Sequence, residues 1–183
     1  DNVVTVRAFP LKHRYDAPVC GFLFAEKERE RSVRKDMAEA FRVPVAFMHR
    51  LKRGEDFVTP EGEVVANARL TTDPPAARSY AYMTDTLFRE RFADYVKGVD
   101  LLYHEATYGD EFAALAKETF HSTAGQAARL AQLAGVKHLL LGHFSSRYPD
   151  PKPLLEQARA VFPSADLCYD GAVFELPAEK RKV

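Results

Sequence analysis

Five residues have types and positions suited to phosphoester chemistry: Asp85, Glu105, His121, His143 and Arg147. Asp85 follows the run Ser79–Met83. Glu105 lies in His104-Glu105-Ala106-Thr107, after Asp100–Tyr103. His143 and Arg147 lie in His143-Phe144-Ser145-Ser146-Arg147, after Lys137–Gly142. His121 sits in Phe120-His121-Ser122-Thr123, ahead of a helical pattern. Asp and neutral His ligate metals. Arg neutralises a phosphoryl group with a planar fork. A His backed by a Glu moves a proton near neutral pH. The combination reads as metal-assisted hydrolysis of a phosphoester.

Each residue alone has an ordinary structural reading. Asp85 could form a turn, His121 could be a surface residue near a cap, His143 could be a loop histidine, and Arg147 could be solvated. His104 and Glu105 alternate along one strand, so only one can face a site. His138 reads as a structural strand residue and His49 as surface. His13 shows no convergence with the others.

The elements that would position these residues are β-branched runs alternating with helical periods. Val3–Phe9 and Val19–Glu26 read as strands. Arg34–Arg42 and Val45–Arg53 have helical spacing on either side of Pro44, and Phe57–Val65 reads as a hairpin. Thr71–Ala77 is Pro-rich and reads as a loop or linker. Beyond it come strands at Ser79–Met83, Asp100–Tyr103, Lys137–Gly142, Leu167–Cys168 and Val173–Leu176. Helices are expected at Phe88–Val96, Glu111–Lys117, Ser122–Ala134 and Leu154–Phe162, with a frayed tail at Glu179–Val183. Alternation of this kind gives a mostly parallel α/β sheet, whose ligands gather at the carboxyl ends of the strands. Thr123 and Gln126 have capping-box spacing, so the helix start beside His121 suits an anion.

The 183 residues carry 26 Lys plus Arg against 26 Asp plus Glu, so the formal charge is zero. That excludes a uniformly cationic nucleic-acid coat but not a local basic patch. No apolar run reaches the roughly 20 residues of a membrane span, and no signal peptide is visible. Two cysteines do not make a disulfide scaffold, and the expected compartment is the cytoplasm. From Glu26 to Arg53 there are nine Lys or Arg and five acids. That segment could track phosphates or be a solvated amphipathic helix pair.

At these same residues the sequence resembles ribonuclease Z, the tRNA 3′-processing endonucleases of the metallo-β-lactamase superfamily. The motifs are Thr84-Asp85-Thr86, His104-Glu105-Ala106-Thr107, His121-Ser122-Thr123 and Gly142-His143-Phe144-Ser145-Ser146-Arg147-Tyr148, with Pro10-Leu11-Lys12-His13 and Cys20-Gly21-Phe22 upstream. The resemblance runs from about Val3 to Leu176. It implies that Asp85 bridges two zinc ions and His143 ligates the second. It also implies that Glu105 and His121 deliver a proton to the leaving 3′ oxygen, and that Arg147 lies near the scissile phosphate. Precursor tRNA as substrate, a homodimeric full-length enzyme and no membrane partner are implied too.

Two departures shape the expectation. The family's His-x-His-x-Asp-His motif is absent, and the chain opens on Asp1 without an initiator methionine. The expected fold is therefore α/β, the C-terminal βα half of a metallo-β-lactamase αβ/βα sandwich. It spans residues 1–183, with an arm-like helical insertion over 27–56 and the half bearing the main zinc motif missing. The arm lacks the family's Gly-Pro signature, but Leu51-Lys52-Arg53-Gly54-Glu55 fits. Arg50, Lys52 and Arg53 are its candidate tRNA contacts. Little activity is expected of this chain alone, and an exposed apolar sheet face is expected. The alternatives are another phosphodiesterase of the superfamily, or an RNA-binding module that has lost its metals.

Overall fold

The computed structural model describes residues 3–14 and 18–177. The expected frayed tail lies outside them. In chain order the elements are β1 (Val4–Pro10), β2 (Cys20–Glu26), β3 (Ser32–Val33), α1 (Lys35–Ala40), α2 (Met48–Lys52), β4 (Phe57–Val58), β5 (Val64–Val65), α3 (Asn67–Leu70) and β6 (Thr71–Thr72). They continue as β7 (Ser79–Met83), β8 (Leu101–Glu105), α4 (Ala113–Thr119), α5 (Ala124–Ala134), β9 (His138–Gly142), α6 (Lys152–Val161) and β10 (Ala165–Leu167). The chain divides into two compact units. One joins Asp1–Glu26 to Arg78–Leu176, and the other is built on Lys27–Ala77.

The first unit holds a six-stranded sheet in the order β1-β2-β7-β8-β9-β10. Pairing is antiparallel from β1 to β2 and from β2 to β7, then parallel through β10. Two reversals therefore return β1 to the direction of β7, so the carboxyl ends of β1, β7, β8 and β9 share one edge. Alternation sends Phe9, Ala81, Met83, Leu102, Leu139, Leu141 and Ala165 to one face. The buried side of α5, Ala124, Ala127, Ala128, Leu130, Ala131 and Ala134, joins the same core, as do Leu154 and Ala158 of α6. The 3.6-residue period of small alanines gives α5 a flat apolar side. The opposite face carries Phe22, Phe24, Tyr80, Tyr82 and Tyr103, with Tyr82 stacked on Tyr103 at 4.8 Å between centroids. Phe22 and Phe24 are exposed on it. Burial among these rings pushes the Tyr80 phenol up to about 12.

Several elements differ from the sequence expectation. Residues 90–96 form a 3-10 helix instead of an α-helix. The segment runs from extended Arg89 to Gly98, which lies in the left-handed region, and it buries Phe92, Ala93 and Val96. β8 runs on to Glu105, two residues past its expected end. The last strand pairs over Ala165–Leu167, and 173–176 is not a strand. Val173 is solvent-exposed there, and Leu176 O accepts from Arg78 Nη1.

The second unit buries Ala38, Val43, Leu51, Phe57, Val65 and Leu70. Asn67 ties it together. Its amide donates to Leu51 O and Glu55 O, both at 2.8 Å, and its Oδ1 accepts from the Thr71 hydroxyl. The compact unit runs past the expected 27–56 segment to Ala77, because α3 and β6 complete its core and pair β6 with β3. The expected loop at Thr71–Ala77 therefore begins as a two-residue strand, Thr71–Thr72.

Candidate active site

Glu105 is the anchor of the site. Its side chain has no solvent exposure. Thr86 N–H donates to Oε1 at 2.6 Å, Ser122 N–H donates to Oε2 at 3.1 Å, and the Thr107 hydroxyl donates to Oε2 at 2.5 Å. His121 Nδ1 completes the set, 3.0 Å from Oε1. A buried carboxylate needs such partners. Burial alone would raise the Glu105 pKa, but the hydrogen bond and charge of His121, helped by Thr107, hold it below the usual value. Burial alone would lower the His121 pKa, but Glu105, helped by the charge of Asp85, holds it above the usual value. Both shifts favour the imidazolium–carboxylate form of the pair.

Alternation separates His104 from Glu105, as the strand period requires. His104 is buried, its Nδ1 is 2.7 Å from Glu105 O, and its Nε2 lacks a partner among the described residues. Desolvation holds its pKa below the usual value, so it stays neutral.

Asp85 and His143 lie one strand away on either side of β8. His143 Nε2 is 2.8 Å from Asp85 Oδ1, and the rings of His143 and His121 are 5.5 Å apart. Asp85, His121 and His143 each offer one ligand atom, and those atoms lie within 4.8 Å of one another. The carboxylate oxygen and the His143 imidazole suit a first-row transition metal, and His121 could add a third donor only by giving up its proton. Even three donors are one short of a closed tetrahedral site. Asp85, Phe120 and His143 all have positive φ, at 48°, 61° and 56°. Non-glycine residues in that region cluster at functional sites.

α5 starts as its sequence requires. Thr123 and Gln126 form a full capping box, and Gly135 closes the helix in the left-handed conformation. This fixes Ser122, whose hydroxyl donates to Thr86 O at 2.6 Å. Arg147 is exposed, and its guanidinium lies 5.7 Å from the ring centres of both Tyr108 and Phe112. Gly142 lets Tyr103 approach, since a Cβ there would strike the phenol.

His13 belongs to this cluster, contrary to the sequence reading. Its ring lies 5.0 Å from that of His121, and its Nδ1 is 3.1 Å from Phe120 O. The signal was the even number of reversals between β1 and β7, which returns the loop after β1 to the edge that carries Asp85 and His143. In the second unit, Arg50 pairs with Glu55 at 2.7 Å and covers the Phe47 ring, while Lys52 and Arg53 are exposed.

No family model matches the chain. Comparison with solved structures gives the fold. A metallo-beta-lactamase fold protein of Bacillus subtilis superposes with a TM-score of 0.59 over 93% of this chain and 49% of that one, at 14% identity. Human tRNase Z, short form, superposes with a TM-score of 0.55 over 97% of this chain and 45% of that one, at 24% identity. The sheet, its helical layer and the residues at its carboxyl edge thus have the metallo-β-lactamase fold.

Within that fold the chain is homologous to ribonuclease Z. It is 51% identical to Ribonuclease Z of Bacteroides fragilis (strain YCH46) over 178 residues, 96% of this chain and 57% of that protein. It is 51% identical to Ribonuclease Z of Parabacteroides distasonis over 171 residues, 93% of this chain and 56% of that protein. The chain thus spans a little over half the length of the curated relatives it matches.

Proposed function

We propose that this chain is the C-terminal half of a zinc-dependent endoribonuclease that removes the 3′ trailer from precursor tRNA. The observation that carries the reading is the buried Glu105 hydrogen-bonded to His121 beside the Asp85–His143 pair. The relatives' name, Ribonuclease Z, and their greater length support it. Asp85 and His143 would hold zinc, and bound zinc would lower the pKa of the attacking water. Glu105 fixes the His121 ring and its charge. The His121 imidazolium gives its proton to the leaving 3′ oxygen. Arg147 compensates the phosphoryl charge. The remaining ligands would come from the rest of the parent protein, so this chain alone should cleave weakly or not at all. Residues 27–56 act as a substrate arm through Arg50, Lys52 and Arg53, in a cytoplasmic homodimer.

The test is cleavage of a precursor tRNA by a chain extended at its N-terminus to the length of the relatives, with zinc supplied. The reading expects one cut after the discriminator base, lost in Asp85→Ala and His143→Ala. Binding of tRNA without cleavage by the extended chain would instead favour a module that has lost its metals.

A further inference from the structure

Phe112 has no part in the chemistry described above, yet it is 38% exposed at the rim of the site. It ends the 3-10 turn Asp110–Phe112, and its ring lies 6.4 Å from that of Tyr108. Tyr108 is buried and stands 6.2 Å from the His121 ring, edge to face. The Arg147 guanidinium is within cation–π range of both aromatic rings and has no carboxylate partner among the described residues.

The turn that carries Phe112 is braced on every side. Gly109 N–H donates to the Tyr148 hydroxyl, and that hydroxyl donates to Glu111 Oε1 at 2.9 Å. Gln157 Nε2 donates to Glu111 Oε2, and Asp110 N–H donates to Gln157 Oε1. Asp110 in turn accepts from Gly125 N–H and the Thr123 hydroxyl at the start of α5. These bonds fix the backbone turn from which the exposed Phe112 ring projects, next to a guanidinium. Unpaired nucleobases bind such rings by stacking, without regard to base identity.

We propose that Phe112, beside Tyr108 and Arg147, is a stacking shelf for the nucleobase next to the scissile phosphate. This rests on the nuclease reading of the site. Phe112 positions substrate and takes no part in proton or metal chemistry. The Phe112→Leu variant keeps apolar bulk at a surface position, so the fold is not at risk.

The experiment uses the full-length parent enzyme and two substrates. One is a precursor tRNA with 2-aminopurine beside the cleavage site, and the other is methyl p-nitrophenyl phosphate, which has no nucleobase. Binding of the tRNA to wild type should quench the 2-aminopurine. Phe112→Leu should lose that quench and raise KM for the tRNA roughly 5- to 100-fold, the range of single-base stacking. Its hydrolysis of methyl p-nitrophenyl phosphate should be unchanged, and Phe112→Tyr should restore the quench. An equal quench in wild type and Phe112→Leu, or equal losses on both substrates, overturns the shelf. The quench needs no turnover, so it reports on the shelf separately. A wild-type enzyme that cleaves neither substrate overturns the nuclease reading itself.

Discussion

His121 Nδ1 lies 3.0 Å from Glu105 Oε1, and the carboxylate that faces it is wholly buried. Two backbone amides and one hydroxyl converge on the same two oxygens. The glutamate is therefore a structural keystone as well as a partner for the imidazole. Glu105→Ala would leave Thr86 N–H and Ser122 N–H buried without an acceptor. It should cost about 2–4 kcal/mol, read from the urea midpoint of this chain. A loss below about 0.5 kcal/mol would mean that water replaces the carboxylate at no cost.

The same pair sets a pH signature. Glu105 has a lowered pKa, so its contribution is present above its ordinary value of 4.5 and is lost as pH falls through the depressed one. His121 has a raised pKa, so its contribution is present below its ordinary value of 6.5 and is lost as pH rises through the raised one. The pair stabilises most between those two ordinary values. His104, buried and neutral, acts in the other direction and destabilises as pH falls below 6.5. It is common to wild type and His121→Ala, so it cancels in their difference. That difference in unfolding free energy should peak between pH 4.5 and 6.5 and shrink on both sides. A flat difference would show that the pair carries no net charge coupling.

The start of α5 offers a separate check. Thr123→Ala removes the capping box and the hydroxyl on Asp110, and should cost about 1–2 kcal/mol. Thr123→Ser should recover most of it. Thermal unfolding of both variants reads the difference.

For the basic segment, charge reversal at Lys52 and Arg53 in the full-length protein should weaken tRNA binding and flatten its salt dependence. Arg50→Glu should do less, because Arg50 already pairs with Glu55 and covers Phe47. Unchanged salt slopes for all three would remove the arm from substrate binding.

Much of this architecture is legible in the chain. The β-branched runs and the Thr123–Gln126 spacing mark the sheet and α5, because period and capping are local properties. Rings pointing to the sheet face opposite α5 and α6 follow from alternation once the helical layer is known. His13 and the 3-10 course of residues 90–96 are not local. The first depends on counting strand reversals, and the second on how residues 90–96 pack Phe92, Ala93 and Val96 into the core. The joining of His121 to both Glu105 and the Asp85–His143 pair is likewise tertiary. Its neighbours come from strands 16 to 36 positions away in sequence and meet only when the sheet forms.

The central claim is that Glu105 and His121 serve the leaving oxygen. The most direct measurement compares a precursor tRNA with its natural 3′ oxygen at the scissile bond and one with sulfur in that place. A thiolate departs without a proton, so it has no need of a general acid. In the full-length enzyme His121→Ala should lower kcat about 10²- to 10⁴-fold on the oxygen substrate. On the sulfur substrate it should lower kcat only slightly. An equal loss on both substrates would contradict the account and assign His121 to holding the metal or the phosphate instead.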